Sequence, residues 1–385
     1  MREPTQSIDL NAPPVRRRKK SVWRVLGIIL AAILLTGGLL YLFWLGPTLQ
    51  RPVSAPLALP TLEEAPATPV AGGTAETPIA GTPPAGASAP SNLSAPPPAF
   101  VQPEPAVPAE PVCGDDPAWM VLLVGSDYRG QDYLYGLADV IRLVNVDFVN
   151  MHANMVALPR DLLVEAPAGR FTEENPMKIN QAYLFGTPGW KGYLGEGGGA
   201  NALAEVIRFN FGVSADHYVV VNFAVVRDFI DAIGGVEVDL PQAVVDPNPE
   251  LGSFPAGRQT LNGTRALALM RIRTNYSDAF RVGNQTLVMR AILDKLMTPA
   301  VLVKVPSLIS RFKDAFLTDL SLGQITELGV CFLSHFDSAN LHAAQIPAEL
   351  LKADQVYIPS LDGSSYVYRW DEAVVQWIHS HLMEQ

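Results

Sequence analysis

Cysteine and histidine are scarce in this 385-residue chain, with two Cys and six His, and 28 Lys plus Arg are outweighed by 38 Asp plus Glu. Two cysteines exclude a disulfide-rich scaffold and a cysteine-rich zinc module, leaving room for one bridge at most. The histidines make no zinc site either, since His379 and His381 lie two apart on a helix-like terminal segment and diverge. The formal net charge of -10 disfavours a nucleic-acid partner. Lysine and aromatic clusters are missing from 46–117, a tract of Pro, Ala, Thr and Gly, so nothing there can seed a core. That tract reads as a disordered linker, with an r.m.s. span of roughly 45 Å if it behaves as a flexible coil.

What precedes the linker is apolar and uninterrupted. Arg16, Arg17, Arg18, Lys19, Lys20 and Arg24 lead into a run of apolar and small residues over 25–45, closed by Tyr41, Phe43 and Trp44. About 20 residues at 1.5 Å rise span a bilayer, and the closing aromatics suit an interface better than a cleavage site. The expectation is a single-pass cell-membrane protein with a basic cytoplasmic tail (1–21), a transmembrane helix (22–45) and everything beyond it extracytoplasmic. Cys113 and Cys331 then both lie on the oxidising side, where a disulfide between them is allowed.

Over 118–297 short Val- and Leu-rich runs alternate with helix-period segments, an α/β pattern. Strands are expected at 120–124, 140–146, 154–157, 217–221 and 236–239. Helices are expected at 200–209, 223–233, 263–270 and 284–297, the second stopped by Gly234 and Gly235, since glycine takes the left-handed conformation cheaply. Residues 298–385 read as an extension packed on the same domain, closing in a helix over 371–381.

The strand-like runs empty into charge: Asp127, Arg129, Asp139, Arg142, Arg160 and Asp161 gather at one rim of a sheet. Two carboxylates such as Asp127 and Asp139, together with substrate oxygens, suit magnesium, which prefers hard oxygen ligands. Arg271 and Arg273 are two apart and share a face if extended, while Arg281 and Gln285 are four apart and share a helix face. Guanidinium forks bind phosphate through paired hydrogen bonds. Val219, Phe223, Phe229, Leu287 and Ile292 are candidates either for plain core or for the lining of a lipid pocket.

The order GSDYR, ADVI, LPRDLLV, KINQAY, NFAVVRDFIDAIGGVEVDLP, LNGTRALALMRIR and SDAFRVGNQ, over 120–296, resembles the LytR-CpsA-Psr family. The resemblance implies an α-β-α layered fold with a central, mostly antiparallel sheet, an apolar pocket for a polyprenyl chain and an Arg-lined mouth for its pyrophosphate. It implies a phosphotransferase that moves a glycopolymer from a polyprenyl-pyrophosphate carrier to a hydroxyl of peptidoglycan or another envelope glycan. By motif, Asp127 and Asp139 resemble the magnesium-binding acids, and Arg160, Lys178, Arg271, Arg273, Arg281 and Gln285 resemble the residues that grip the pyrophosphate. Asp161 and Asp139 are the candidates for the base. The chain departs from the family pattern at Leu137 and Asn284, where Arg is usual, and at Val140, where Thr is usual. Those losses keep two alternatives open: a binding or regulatory protein for the lipid pyrophosphate, and a hydrolase releasing the polymer to water.

Overall fold

The computed structural model describes residues 50–59, 110–127, 136–172, 175–190, 192–273 and 278–383. The anchor expected at 22–45 and most of the linker fall outside those residues. Among the described residues no helix is long and apolar enough to cross a membrane.

The centre is a six-stranded sheet built from β1 (Ala118–Ser126), β2 (Ala138–Asp147), β3 (His152–Leu158), β4 (His217–Asn222), β5 (Leu317–Thr318) and β6 (Leu341–Gln345). The strand order is β5-β4-β1-β2-β3-β6. Three of the pairings are antiparallel, and β1–β4 and β3–β6 are parallel. A two-stranded hairpin, β7 (Lys352–Ile358) with β8 (Gly363–Arg369), stands apart from the sheet. The helices are α1 (Ile179–Phe185), α2 (Gly198–Phe211), α3 (Phe223–Ala232), α4 (Gly263–Arg271), α5 (Asp278–Met297), α6 (Pro299–Leu302), α7 (Val305–Phe312), α8 (Leu322–His335) and α9 (Glu372–Leu382).

Strand alternation sorts β1 into two faces. Met120, Leu122 and Val124 point into the main core, which they share with Leu203, Ile207 and Phe211 of α2 and Val374 and Ile378 of α9. Trp119, Val121, Leu123 and Gly125 point the other way, toward a second layer containing α3, α5, α7 and α8. The outcome is helices on both faces of a mostly antiparallel sheet. Helix α3 ends where the paired glycines were expected to stop it: Gly234 and Gly235 both sit at φ +84°. The Gly235 N–H returns to the Ile230 carbonyl at 2.9 Å.

Within residues 298–385, β5 and β6 supply two strands of the central sheet, and α8 and α9 supply walls on both of its faces. Part of the expected disordered linker is also ordered against the domain. The Val53 and Ser54 N–H groups donate to the Leu320 and Thr318 carbonyls (3.1 and 2.7 Å), beside edge strand β5. Leu57 and Leu59 pack on the main core. Unpaired edge backbone and two apolar side chains give this segment partners that composition does not reveal. Cys113 and Cys331 are joined by a disulfide.

Candidate active site

The charged rim is assembled where β1 and β2 part. Their register shifts at Gly125/Ser126, and such a bulge re-aims the residues that follow. Asp127 then meets Leu137 twice: its N–H donates to the Leu137 carbonyl (3.1 Å), and the Leu137 N–H donates to Asp127 Oδ1 (2.8 Å). The residue standing where the family pattern has Arg therefore contributes backbone. From β2, Asp139 Oδ1 accepts from Arg160 Nη1 at 2.6 Å. Asp161 is held on both oxygens, Oδ1 by Lys178 Nζ at 2.9 Å and Oδ2 by Arg160 Nε at 3.4 Å. Burial works to lower the Arg160 pKa, but Asp139 and Asp161 outweigh it and raise it.

Helix α5 supplies the opposite side. Its first turn carries Asp278, whose Oδ1 meets Arg281 Nη2 at 2.6 Å, and one turn on Gln285 accepts from Arg142 Nη2 at 2.9 Å. Arg142 is 1% exposed and Arg281 5%. In each, the Nε–H is buried without a hydrogen-bond partner. Burial, then the neighbouring charge of Arg281, pulls the Arg142 guanidinium down to about 10. Burial likewise lowers Arg281, with Arg160 and Arg273 adding repulsion.

Behind the rim lies a cavity of about 620 Å³ between the sheet and the helices. Leu123, Val219 and Val221 line it from the sheet, Phe229, Ile292 and Phe332 from the helices. One end is formed by Gly125, Val140, Asn222 and Met270, chain neighbours of Ser126, Asp139, Phe223 and Arg271, so the apolar space opens toward the charge. Of the five residues weighed between core and lining, Val219, Phe223, Phe229 and Ile292 line the cavity, whereas Leu287 packs on the cluster around α4 and α5.

The structure brings Asp127, Asp139, Arg160, Asp161, Lys178, Arg281 and Gln285 to this rim. Arg271 and Arg273 are there by a different geometry from the extended one expected. Arg271 ends α4 and lies over the Phe223 ring at 5.9 Å, and Arg273 follows beyond the helix cap. The helix extends this far because Asn262 caps it, its side chain accepting from the Arg265 N–H, and Gly263 lets it pass against the Arg227 backbone of α3. Arg129 lies outside the described residues.

Two contributors escaped the sequence reading. Asp278 could have been read as the acid three residues before Arg281 in a first helical turn. Tyr368 could not: hairpin β8 reaches the rim only through tertiary packing, with its N–H on the Asp161 carbonyl at 2.9 Å. Burial, followed by Tyr366, raises the Tyr368 phenol.

The carboxylate pair fits a hard divalent cation. Burial raises the Asp127 carboxyl above its ordinary range, and the charge of Asp139 raises it further. Two carboxylates that repel one another gain most from a cation placed between them. Elsewhere among the described residues Cys113, Cys331 and His335 converge, but their disulfide has consumed the thiolates a metal needs.

The family model described as LytR_cpsA_psr matches residues 102–379. The chain belongs to the LytR_cpsA_psr family. A family relative, the polyisoprenyl-teichoic acid–peptidoglycan teichoic acid transferase TagU of Oceanobacillus iheyensis, is 29% identical over 211 residues, covering 54% of this chain and 61% of that protein. The chain thus spans less than two thirds of that relative's length. TagU of Bacillus mycoides is 27% identical over 267 residues, covering 68% of this chain and 78% of the relative. The crystal structure of Bacillus subtilis TagV shares the fold at 22% identity and a TM-score of 0.55, covering 70% of this chain and 98% of that one.

Proposed function

We propose that this LytR_cpsA_psr protein is a phosphotransferase. It moves a glycopolymer phosphate from a polyprenyl-pyrophosphate carrier to a hydroxyl of peptidoglycan or a similar envelope glycan, at the outer face of the cell membrane. The observation that carries the reading is the adjacency of an apolar cavity of about 620 Å³ to a rim of Asp127, Asp139, Arg160 and Arg281. A ligand matched to both parts has a long apolar tail and a polyanionic head. The names of the TagU relatives support the same donor and acceptor.

In the reaction, an oxygen of the acceptor hydroxyl attacks the phosphorus that bears the glycan. The bond from that phosphorus to the bridging oxygen breaks, its electron pair leaves with the lipid phosphate, and the hydroxyl proton passes to a carboxylate. The products are a phosphodiester and a polyprenyl monophosphate. Charge stabilisation and positioning dominate such transfers. Arg160 and Arg281 supply fixed positive charge to the head group. Asp127 and Asp139 would hold magnesium, which when bound offsets phosphate charge. Of the two candidate bases, Asp161 has both oxygens engaged by Lys178 and Arg160, whereas Asp139 is engaged by Arg160 through Oδ1 alone. The second oxygen of Asp139 is the one magnesium would take, so with the ion bound neither acid has the advantage as the base.

The test is transfer by the full-length chain in detergent from a polyprenyl-pyrophosphate oligosaccharide to peptidoglycan fragments, with magnesium, beside Asp127→Ala and Arg281→Ala. Magnesium-dependent product abolished by both substitutions supports the transferase. Product formed without any acceptor points to the hydrolase, and tight lipid binding without product points to the regulatory protein. Either result would overturn the assignment.

A further inference from the structure

We infer that Arg142 binds the phosphate that carries the prenyl chain, reaching it from β2 beside Gln285, below the rim. The inference rests on the lipid-pyrophosphate reading above. It begins with an imbalance of partners. Three other cations at the site each meet a carboxylate: half-buried Arg160 meets Asp139, half-buried Lys178 meets Asp161, and buried Arg281 meets Asp278. Among the described residues Arg142 forms no ion pair and donates from Nη2 to a neutral amide oxygen, Gln285 Oε1, at 2.9 Å. The carboxylate whose charge it feels, Asp278, is held by Arg281 at 2.6 Å.

An Arg buried to 1% exposure without a counter-charge is costly. Its Nε–H has no acceptor, nor has that of Arg281, four residues before Gln285 on α5. A buried water could accept one of those N–H groups, but it would leave the charge unopposed. A phosphate answers both deficits, since it brings negative charge and several acceptor oxygens into reach of two guanidinium forks.

Position along β2 selects which phosphate. Arg142 follows Asp139 by three residues, about 10 Å of strand, which places it inward of the rim. It shares a sheet face with Val140, and its cross-strand partner is Leu123; both of these line the cavity. Arg142 is not itself a lining residue; its guanidinium lies behind that lining, bonded to Gln285, and from there it is suited to the head-group atom closest to the tail. That phosphate is present in the pyrophosphate substrate and in the monophosphate product, and it takes up the charge when the bridging bond breaks. Arg142 therefore stabilises the leaving group, and its loss weakens substrate and product alike.

The experiment uses the full-length chain in detergent and isothermal titration with geranylgeranyl pyrophosphate, geranylgeranyl monophosphate and geranylgeraniol. In Arg142→Met, affinity for both phosphorylated lipids falls about ten- to a hundredfold, the alcohol binds as before, and the lipid-free protein unfolds at or above the wild-type temperature. Arg142→Lys, which keeps the charge and loses the fork, shows a smaller loss, and it carries the test if the Met variant fails to fold. Unchanged affinity for both phosphorylated lipids in the substituted protein overturns the inference while sparing the proposed function. Equal losses for the alcohol and the phosphates also overturn it, by assigning Arg142 to wall packing. A folded wild-type protein that binds neither phosphorylated lipid would remove the proposed function itself, and this inference with it.

Discussion

Gly329 offers a direct way to separate the cavity's role from its contribution to stability. It lies inside α8 and lines the cavity, and a Cβ built there has nothing within 4 Å. Replacing Gly with Leu adds four carbons to space that no other side chain occupies. In the lipid-free protein the change is neutral or stabilising, because a glycine inside a helix costs roughly 0.5–1 kcal/mol relative to alanine. For a bound prenyl chain the same four carbons displace about four methylene equivalents, at about 0.8 kcal/mol each. The binding loss is then ~3 kcal/mol, about a hundredfold in Kd. Gly329→Ala, which adds one carbon, should cost less than tenfold. The assay pairs thermal unfolding of the lipid-free protein with titration of geranylgeranyl pyrophosphate across wild type, Gly329→Ala and Gly329→Leu. A Leu variant that binds the lipid as wild type does would place the tail elsewhere. A Leu variant that unfolds early would show that the wall has no room.

Asp127 sets a pH dependence whose sign follows from its raised pKa. A carboxyl that binds its proton more tightly when folded costs stability while ionised, and the cost disappears as pH falls through its folded pKa. Asp127→Asn should raise the unfolding temperature near pH 7, with the gain shrinking in acid. Added magnesium should stabilise wild type and leave the variant unmoved, and an equal response from both would argue against the carboxylate pair as its seat. Reduction of the Cys113–Cys331 bridge, whose partners lie 218 residues apart, should cost at most about 5 kcal/mol by loop entropy, read as a lower denaturant midpoint. A chain beginning at residue 110 should be less stable than one beginning at residue 51 by on the order of 1–2 kcal/mol, since ordering 51–59 offsets most of what Leu57 and Leu59 gain by burial. Identical denaturant midpoints would mean that the segment rests on the domain without contributing to its stability.

Much of the central sheet was legible because its strands carry their signal locally. The runs expected at 120–124, 140–146, 154–157 and 217–221 all fall inside observed strands, since sequences buried on both faces read as unbroken Val and Leu. Helix α3 was legible at its end for the same local reason. Helix α5 was expected to begin at Asn284 but begins at Asp278; Gly283, a weak helix former, interrupts the helical pattern of its first residues. Leu317–Thr318 was invisible, since two residues have no periodicity and become a strand only by pairing with β4. At the site, the charged ends of the strand-like runs pointed to the acids and the i, i+4 spacing to Arg281 and Gln285, and the structure places them at one rim. The role of Arg142 depends on which helix crosses its strand, and periodicity says nothing of that. The apolar lining was ambiguous for a physical reason too: a side chain facing a lipid pocket and one facing a core obey the same pattern.

The outer wall of the cavity has a mechanical consequence. Helix α8 is 14 residues long, yet none of its residues is buried. It is fastened at its start by the Ser321 side chain, which accepts from the Gln324 N–H, and near its end by the bridge from Cys331 to Cys113. Between those two rivets Ile325, Leu328 and Gly329 line the cavity, and Leu328 also packs on the cluster around Cys113 and Trp119. The helix is in that sense a beam braced at both ends: the bridge that ties residues 218 positions apart also fixes one border of the cavity.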